Sequence, residues 1–350
     1  MKTSYKKQDV IVLLKDVTSK MTPLSTEERE KRIQQGIHYS EMLPLEYSPS
    51  KEYMALYYQA LHYHSKTTAQ AVMCLGDKIL SKKGNDIVLV SLARAGTPIG
   101  ILLKRYFEKQ YHIVVPHYTI SIIRGRGIDK NAMQYILKKH HAKTIQFVDG
   151  WIGKGAIIKE LQKEVLQYEN VSGELAVLAD PAHMTSLYGT TEDFLIPSAC
   201  LNAVVSGLFS RTIYNKNVIG ENDFHGAVYY KELEKQDISY HFIEEIEKHF
   251  DEKYIIEQKI TNIEVNYKEA EEIAEKFHIK DINFIKPGIG ETTRVLLRRV
   301  PWKILVKNKT EKIYIGHILE LAKEKGITVE EYPLKYYRAC GLIKNLNADI

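Results

Sequence analysis

Two stretches of the chain share one order of residues, and that order restricts the fold more than any other feature. "DIVLVSLARAGTPIGILLKRYFEKQ" and "TIQFVDGWIGKGAIIKELQKEV" each pass from an apolar run, through a glycine-bearing turn, into an amphipathic segment. A short unbroken apolar run suits a strand covered on both faces. Apolar residues spaced by three and four suit a helix packed on such a sheet. Strand, loop and helix repeated in this way predict βαβ units and a parallel sheet. "HIVVPHYTISII" and "GELAVLAD" read as further strands. Ligands of such sheets settle at the carboxyl ends of the strands, where the sequence places both glycine loops, the polar "RGRGIDKNA" and Asp180.

Around this centre, "STEEREKRIQQG" has the order of a capping box, Ser25 with Glu28 three residues on, and predicts a short helix. Residues 48–84 keep helical spacing throughout and predict one or two helices. Residues 232–259 read as a charged helical spacer. From about residue 262 a second strand–loop–helix module follows, with "INFIKPGIGETTRVLLRRV" at its head. The expected division is therefore 1–260 and 261–350. A length of 350 residues fits two domains better than one.

Composition excludes some classes. No apolar run reaches the ~18 residues of a membrane span, so no membrane partner is expected. Cys74, Cys200 and Cys340 are odd in number and without a CxxC pair. They argue against a disulfide framework and a cysteine metal site, and for a reducing cytoplasm. A net charge of +5 fits anionic ligands and equally an ordinary surface.

The two loops carry the chemistry. "SLARAGTPIG" places Arg94 and Gly96 at a strand-to-helix turn, where free N–H groups and a guanidinium suit phosphate. In the other, Asp149 ends the strand, where a carboxylate can hold a sugar diol. Gly153, Lys154 and Gly155 then open a helix toward a phosphate. Neither GxxxxGK[ST] nor GxGxxG is present. The plain alternative is two structural glycine turns and a solvated lysine.

Set together, the loops resemble those of type I phosphoribosyltransferases. The resemblance implies an α/β fold: a parallel-sheet type I phosphoribosyltransferase-like domain. It implies a site for phosphoribosyl pyrophosphate (PRPP) built from Ala93, Arg94, Ala95, Gly96 and Thr97, and from Asp149, Gly150, Trp151, Gly153, Lys154, Gly155 and Ala156, with Asp180 nearby. Mg²⁺ would be held mainly by the substrate, with no dedicated metal ligands on the protein. Arg124 and Arg126, with Lys130, would ride on a mobile flap. The usual second acid of the signature is replaced by Gly150.

More narrowly, "GIHYSEMLP", "RGRGIDKNA", "LADPAHM", "IPSACLNAVVSGLFSRT" and "DFHGA" resemble the StiP, or tellurite-resistance-associated, phosphoribosyltransferase-like family. That family is described both as phosphoribosyltransferase-like and as cysteine protease, which leaves two chemistries. The transferase reading, taken as the main one, uses Asp149, Arg94 and Arg124 and moves phosphoribose to or from a base or nucleotide-like acceptor. The protease reading uses Cys200 as nucleophile with His225, or His183, as base and Asn202 or Asp223 to orient it. A non-catalytic nucleotide sensor is a third reading, compatible with Gly150. Ser206, Ser210, Arg211 and Thr212, in a segment read as a small-residue helix, would approach a phosphate or acceptor.

In the second module, the order from Lys286 to Arg294 resembles the signature of Pelota-type RNA-binding domains. The resemblance implies a small α/β Pelota-type domain with RNA as a partner. Its contacts would come from Lys286, Gly288, Gly290, Glu291, Thr292, Arg294 and Arg298. The combined expectation is an RNA-linked phosphoribosyltransferase in a stress or tellurite-resistance setting, with a homo-oligomer left open.

Overall fold

A computed structural model describes residues 1–251 and 268–345. The domain boundary expected at 260/261 lies outside the described residues. The first module is built on a six-stranded sheet, with β1 (Ile11–Val12), β2 (Val88–Leu92), β3 (His117–Ile120), β4 (Ile145–Trp151), β5 (Leu175–Ala179) and β6 (Tyr188–Thr190). Their order is β1-β3-β2-β4-β5-β6, and every neighbouring pair is parallel. The mixed α/β architecture with a parallel sheet is thus as expected.

Alternation along the strands divides the core in two. Leu89, Val148, Ala176 and Leu178 face one side, and Val88, Val90, Phe147, Leu175 and Val177 the other. On the first side pack α2 (Lys51–Lys83), α3 (Gly96–Tyr111) and α6 (Ser239–Glu247). Against the second lie α4 (Lys130–Leu137) and α5 (Ala156–Val165), which contribute Met133, Ile136, Ile158 and Leu161. α1 (Thr26–Gln34) begins as the capping box requires: Ser25 Oγ accepts from the Glu28 N–H at 3.2 Å. The 48–84 stretch holds the single helix α2, and Gly84, with φ +68°, ends it.

Two local expectations change. "RGRGIDKNA" is not a mobile flap: Ile122–Ile123 and Gly127–Ile128 pair antiparallel as a small hairpin. The Asp129 carboxylate then caps α4 by accepting from the Ala132 N–H at 3.0 Å. "ACLNAVVSGLFSRT" is not a helix either. It forms two short 3₁₀ turns, Pro197–Cys200 and Ala203–Val205. Gly207 then turns at φ +81°, where a Cβ would meet the Tyr5 ring at 2.6 Å.

In the second module, α7 (Lys268–Lys276), α8 (Ile289–Arg298) and α9 (Lys312–Glu324) accompany β7 (Ile285–Pro287), β8 (Pro301–Val306), β9 (Thr328–Glu331) and β10 (Ala339–Ile343). The sheet order is β7-β10-β8-β9, with β8 and β9 parallel and the other pairs antiparallel. This module docks on the carboxyl edge of the large sheet. Asp193 accepts from the N–H groups of Ile289 (2.9 Å) and Arg338 (2.7 Å), and Tyr337 donates to the Gly153 carbonyl at 3.0 Å. Among the described residues, no helix is long and apolar enough to cross a membrane.

Candidate functional site: a cationic cleft shared by both modules

The loop after β4 and the loop that opens α8 face each other. A Cβ on Gly153 would lie 3.6 Å from Glu291, and one on Gly290 would lie 3.3 Å from the Trp151 ring. Between them opens a cavity of about 490 Å³. The first module lines it with Arg29, His38, Tyr39, Arg124, Asp149, Trp151, Lys154 and Arg211. The second lines it with Asp281, Asn283, Lys286, Glu291, Arg294 and Arg299. Seven Lys/Arg against three Asp/Glu leave it strongly cationic. The size falls within the range of small-molecule and cofactor sites.

Several residues expected to face a ligand are already engaged with protein. Arg94, expected at a pyrophosphate, points inward instead: it donates to the Phe209 carbonyl at 3.1 Å and to Asn202 Oδ1 at 2.6 Å. Lys154, expected on a phosphate, donates to the carbonyls of Ile282 and Ile285 in the second module. Burial, with Lys286 and Arg124 adding repulsion, pushes its amine down to about 7. Arg126, expected on the flap, ion-pairs with Glu41 at 2.6 Å, and Arg124 donates to Asn283 at 2.5 Å. Thr97 is buried against Thr119, 2.9 Å away. The Asp180 carboxylate accepts from the Thr185 N–H at 2.9 Å, and burial raises it to about 6.

Asp149 does line the cleft. Its carboxylate accepts from the Gly150 N–H at 2.7 Å, and burial lifts it to about 7 despite that bond and the nearby Arg294. Gly96 fixes how closely α3 approaches it, since a Cβ there would sit 2.4 Å from the Val148 carbonyl oxygen. Gly150 packs beside Ala95. Trp151 carries the Arg294 guanidinium 4.3 Å from its ring centre.

Of the Pelota-type residues, Lys286, Glu291 and Arg294 line this same cleft. Burial lowers the Lys286 amine to about 8. Glu291 and Arg294 pair at 3.1 Å, and Gly288 turns at φ +95°. Thr292 is buried, and Arg298 donates to the Leu201 carbonyl at 3.0 Å. Sequence reasoning missed Arg29, His38 and Tyr39 as lining residues. Only the "GIHYSEMLP" motif hinted at the last two, and nothing in a charged helix singled out Arg29.

The thiol expected as nucleophile is not among the residues that line the cleft. Cys200 is 3% exposed, and burial raises its thiol to about 12. Its carbonyl accepts from the Tyr53 hydroxyl. His225 is engaged elsewhere: its ring lies 2.9 Å from Ser121 Oγ, its backbone N–H donates to Asp129, and burial lowers the imidazole to about 4. His183 packs 6.3 Å from the Tyr188 ring. The two orienting candidates also have other partners, Asn202 with Arg94 and Asp223 with Lys15. Ser206 and Ser210 donate to nearby carbonyls, and Thr212 is buried. Cys74 and Cys340 are buried as well.

The comparisons overturn the main functional expectation. Residues 3–247 match the family described as tellurite-like stress resistance cysteine protease StiP, and residues 264–345 match the PELOTA RNA binding domain. A protein of Acinetobacter baylyi named cysteine protease StiP is 34% identical over 364 residues, covering 98% of this chain and 94% of that protein. These names indicate a hydrolase, so the phosphoribosyltransferase reading, with transfer to or from a base or nucleotide-like acceptor, is withdrawn. Mg²⁺ entered only as the companion of PRPP. Among the described residues no three His, Cys, Asp or Glu side chains converge to hold a metal. Matched along most of its length by one family model and along nearly all of it by a relative, the chain belongs to the StiP family, with a Pelota RNA-binding domain as its second module.

Proposed function

We propose that the chain is a cysteine-dependent hydrolase, a peptidase by the name its relative carries, with Cys200 as nucleophile and RNA as partner of the second module. The observation that carries this reading is the match to a cysteine protease along 98% of the chain. Placement favours Cys200 among the three thiols. Cys74 lies within α2 and Cys340 within β10. Cys200 sits on a short turn whose neighbours Leu201 and Asn202 are held by Arg298 and Arg94.

On this reading the thiol is closed at rest. Reaction needs the 197–202 turn to swing outward and an imidazole to reach the thiol, and His225 in its present contacts is not that group. A second reading, a non-catalytic nucleotide sensor, is favoured by the excess of cations in the cleft. The scaffold itself we read as of the type I phosphoribosyltransferase kind, which the parallel sheet and the two loops support. A fold does not fix its chemistry.

An electrophilic peptide, such as a vinyl sulfone, tests the assignment. It is expected to label Cys200 and to leave Cys74 and Cys340 unmodified in peptide mapping. A thiol near 12 forms thiolate in proportion to hydroxide, so the rate at rest should climb about tenfold per pH unit between pH 7 and 9. Labelling of another cysteine, or of none, overturns the assignment. A plateau below pH 8 contradicts the closed thiol.

A further inference from the structure

The cleft contains donors with nothing to hold. Arg29 is 5% exposed, yet its Nε has no partner among the described residues, and the buried Nε of Arg294 has none either. The Arg211 guanidinium lies 4.3 Å from the centre of the Tyr39 ring and makes no hydrogen bond to any described residue. Burial, with Arg29 next, lowers Arg211 to about 9, and burial, with Arg299 next, lowers Arg29 to about 10, so both stay charged at neutral pH. A buried guanidinium donor left unpaired costs free energy, and a bound anion offsets that cost. Two of these three arginines belong to the first module and one to the second.

We propose that the cleft binds one unpaired nucleotide of an RNA strand between the two modules. Its phosphate meets Arg29, Arg211 and Arg294, and its base is bordered by Tyr39 and Trp151. This rests on the RNA part of the function proposed above and not on the hydrolase part. The reasons are chemical. Guanidinium forks match phosphate oxygens, and aromatic rings and guanidinium planes are the surfaces on which unstacked bases lie. The cavity of about 490 Å³ admits a unit of nucleotide size and excludes a duplex. RNA is favoured over a free nucleotide because the matched RNA-binding module contributes Lys286, Glu291 and Arg294 to the same wall. RNA recognition by this chain would therefore need first-module residues that a Pelota domain alone does not possess.

The test is fluorescence anisotropy of the full chain with a labelled, unstructured RNA of about ten nucleotides. Arg29→Ala and Arg211→Ala are each expected to weaken binding about tenfold or more, as is Arg294→Ala, and each to reduce the salt dependence. Arg211→Lys, which keeps the charge, should restore part of the affinity, and unchanged thermal unfolding of that variant guards against a folding defect. Binding of RNA that falls with Arg294→Ala but ignores both first-module variants overturns the shared site while leaving RNA as a partner. No RNA binding by the wild-type chain removes both. A free nucleoside monophosphate or an acidic peptide that binds as tightly as the RNA overturns the choice of ligand.

Discussion

Glu30→Ala is expected to lower stability by about 3–5 kcal/mol, because it strands buried cations. Glu30 is fully buried on α1 and receives both arms of Arg299 from the second module, at 2.7 and 2.9 Å, and the amide of Gln34 at 3.0 Å. Arg29 lies alongside, donating to the Arg298 carbonyl at 3.4 Å. Without the carboxylate, two guanidinium groups would face each other in a water-poor seam. Burial alone would raise the Glu30 carboxyl, but the Arg299 bonds and charge hold it below its ordinary 4.5. The sign follows: the contribution is complete above about pH 4.5 and is lost as pH falls through the lower folded value. Glu30→Ala/Arg299→Ala should recover part of the loss, since it removes one stranded charge. Urea unfolding monitored by far-UV circular dichroism reads the effect. A loss under 1 kcal/mol for Glu30→Ala would show that the seam between the modules is not held here.

Phe147→Ala is expected to cost about 3–5 kcal/mol and to loosen the cleft. Phe147 is fully buried on β4, two residues before Asp149, and packs toward α5, which the 153–155 loop leads into. Its neighbours in register are Val90 on β2 and Leu175 on β5, both buried. They belong to a close-packed strand layer that cannot collapse fully into the space left by a ring. Thermal unfolding should show the loss, and RNA affinity should fall with it because β4 positions Trp151. Affinity that stays intact while stability falls would separate the cleft from this part of the core.

What the sequence made legible was whatever is written in local pattern. The apolar runs at 88–92, 145–151 and 175–179 became the central parallel strands, and Ser25 with Glu28 became a helix cap. Long-range partners were not legible. Arg94 and Lys154 occupy phosphate-type loops in sequence, but their side chains turn to Asn202 and to carbonyls of a module more than a hundred residues away. No spacing rule encodes that choice. The hairpin at 122–128 escaped because each of its strands is two residues long and the glycines between them read as a loop. The 199–212 segment read as helix from its small apolar residues, and Pro197 just before it and the left-handed Gly207 within it proved to be the stronger signals. Candidate thiols could be counted from sequence. Their burial, which decides how Cys200 behaves at rest, comes from packing with Tyr53 and the arginine-held turn.

The most direct measurement of the central claim is cleavage itself. Purified chain incubated with an unfolded protein substrate, with products mapped by mass spectrometry, should give defined fragments. Cys200→Ala should abolish them, whereas Cys74→Ala and Cys340→Ala should leave them in place. Fragments that persist unchanged in Cys200→Ala, or no cleavage by the wild-type chain under any condition that labels Cys200, would contradict the account.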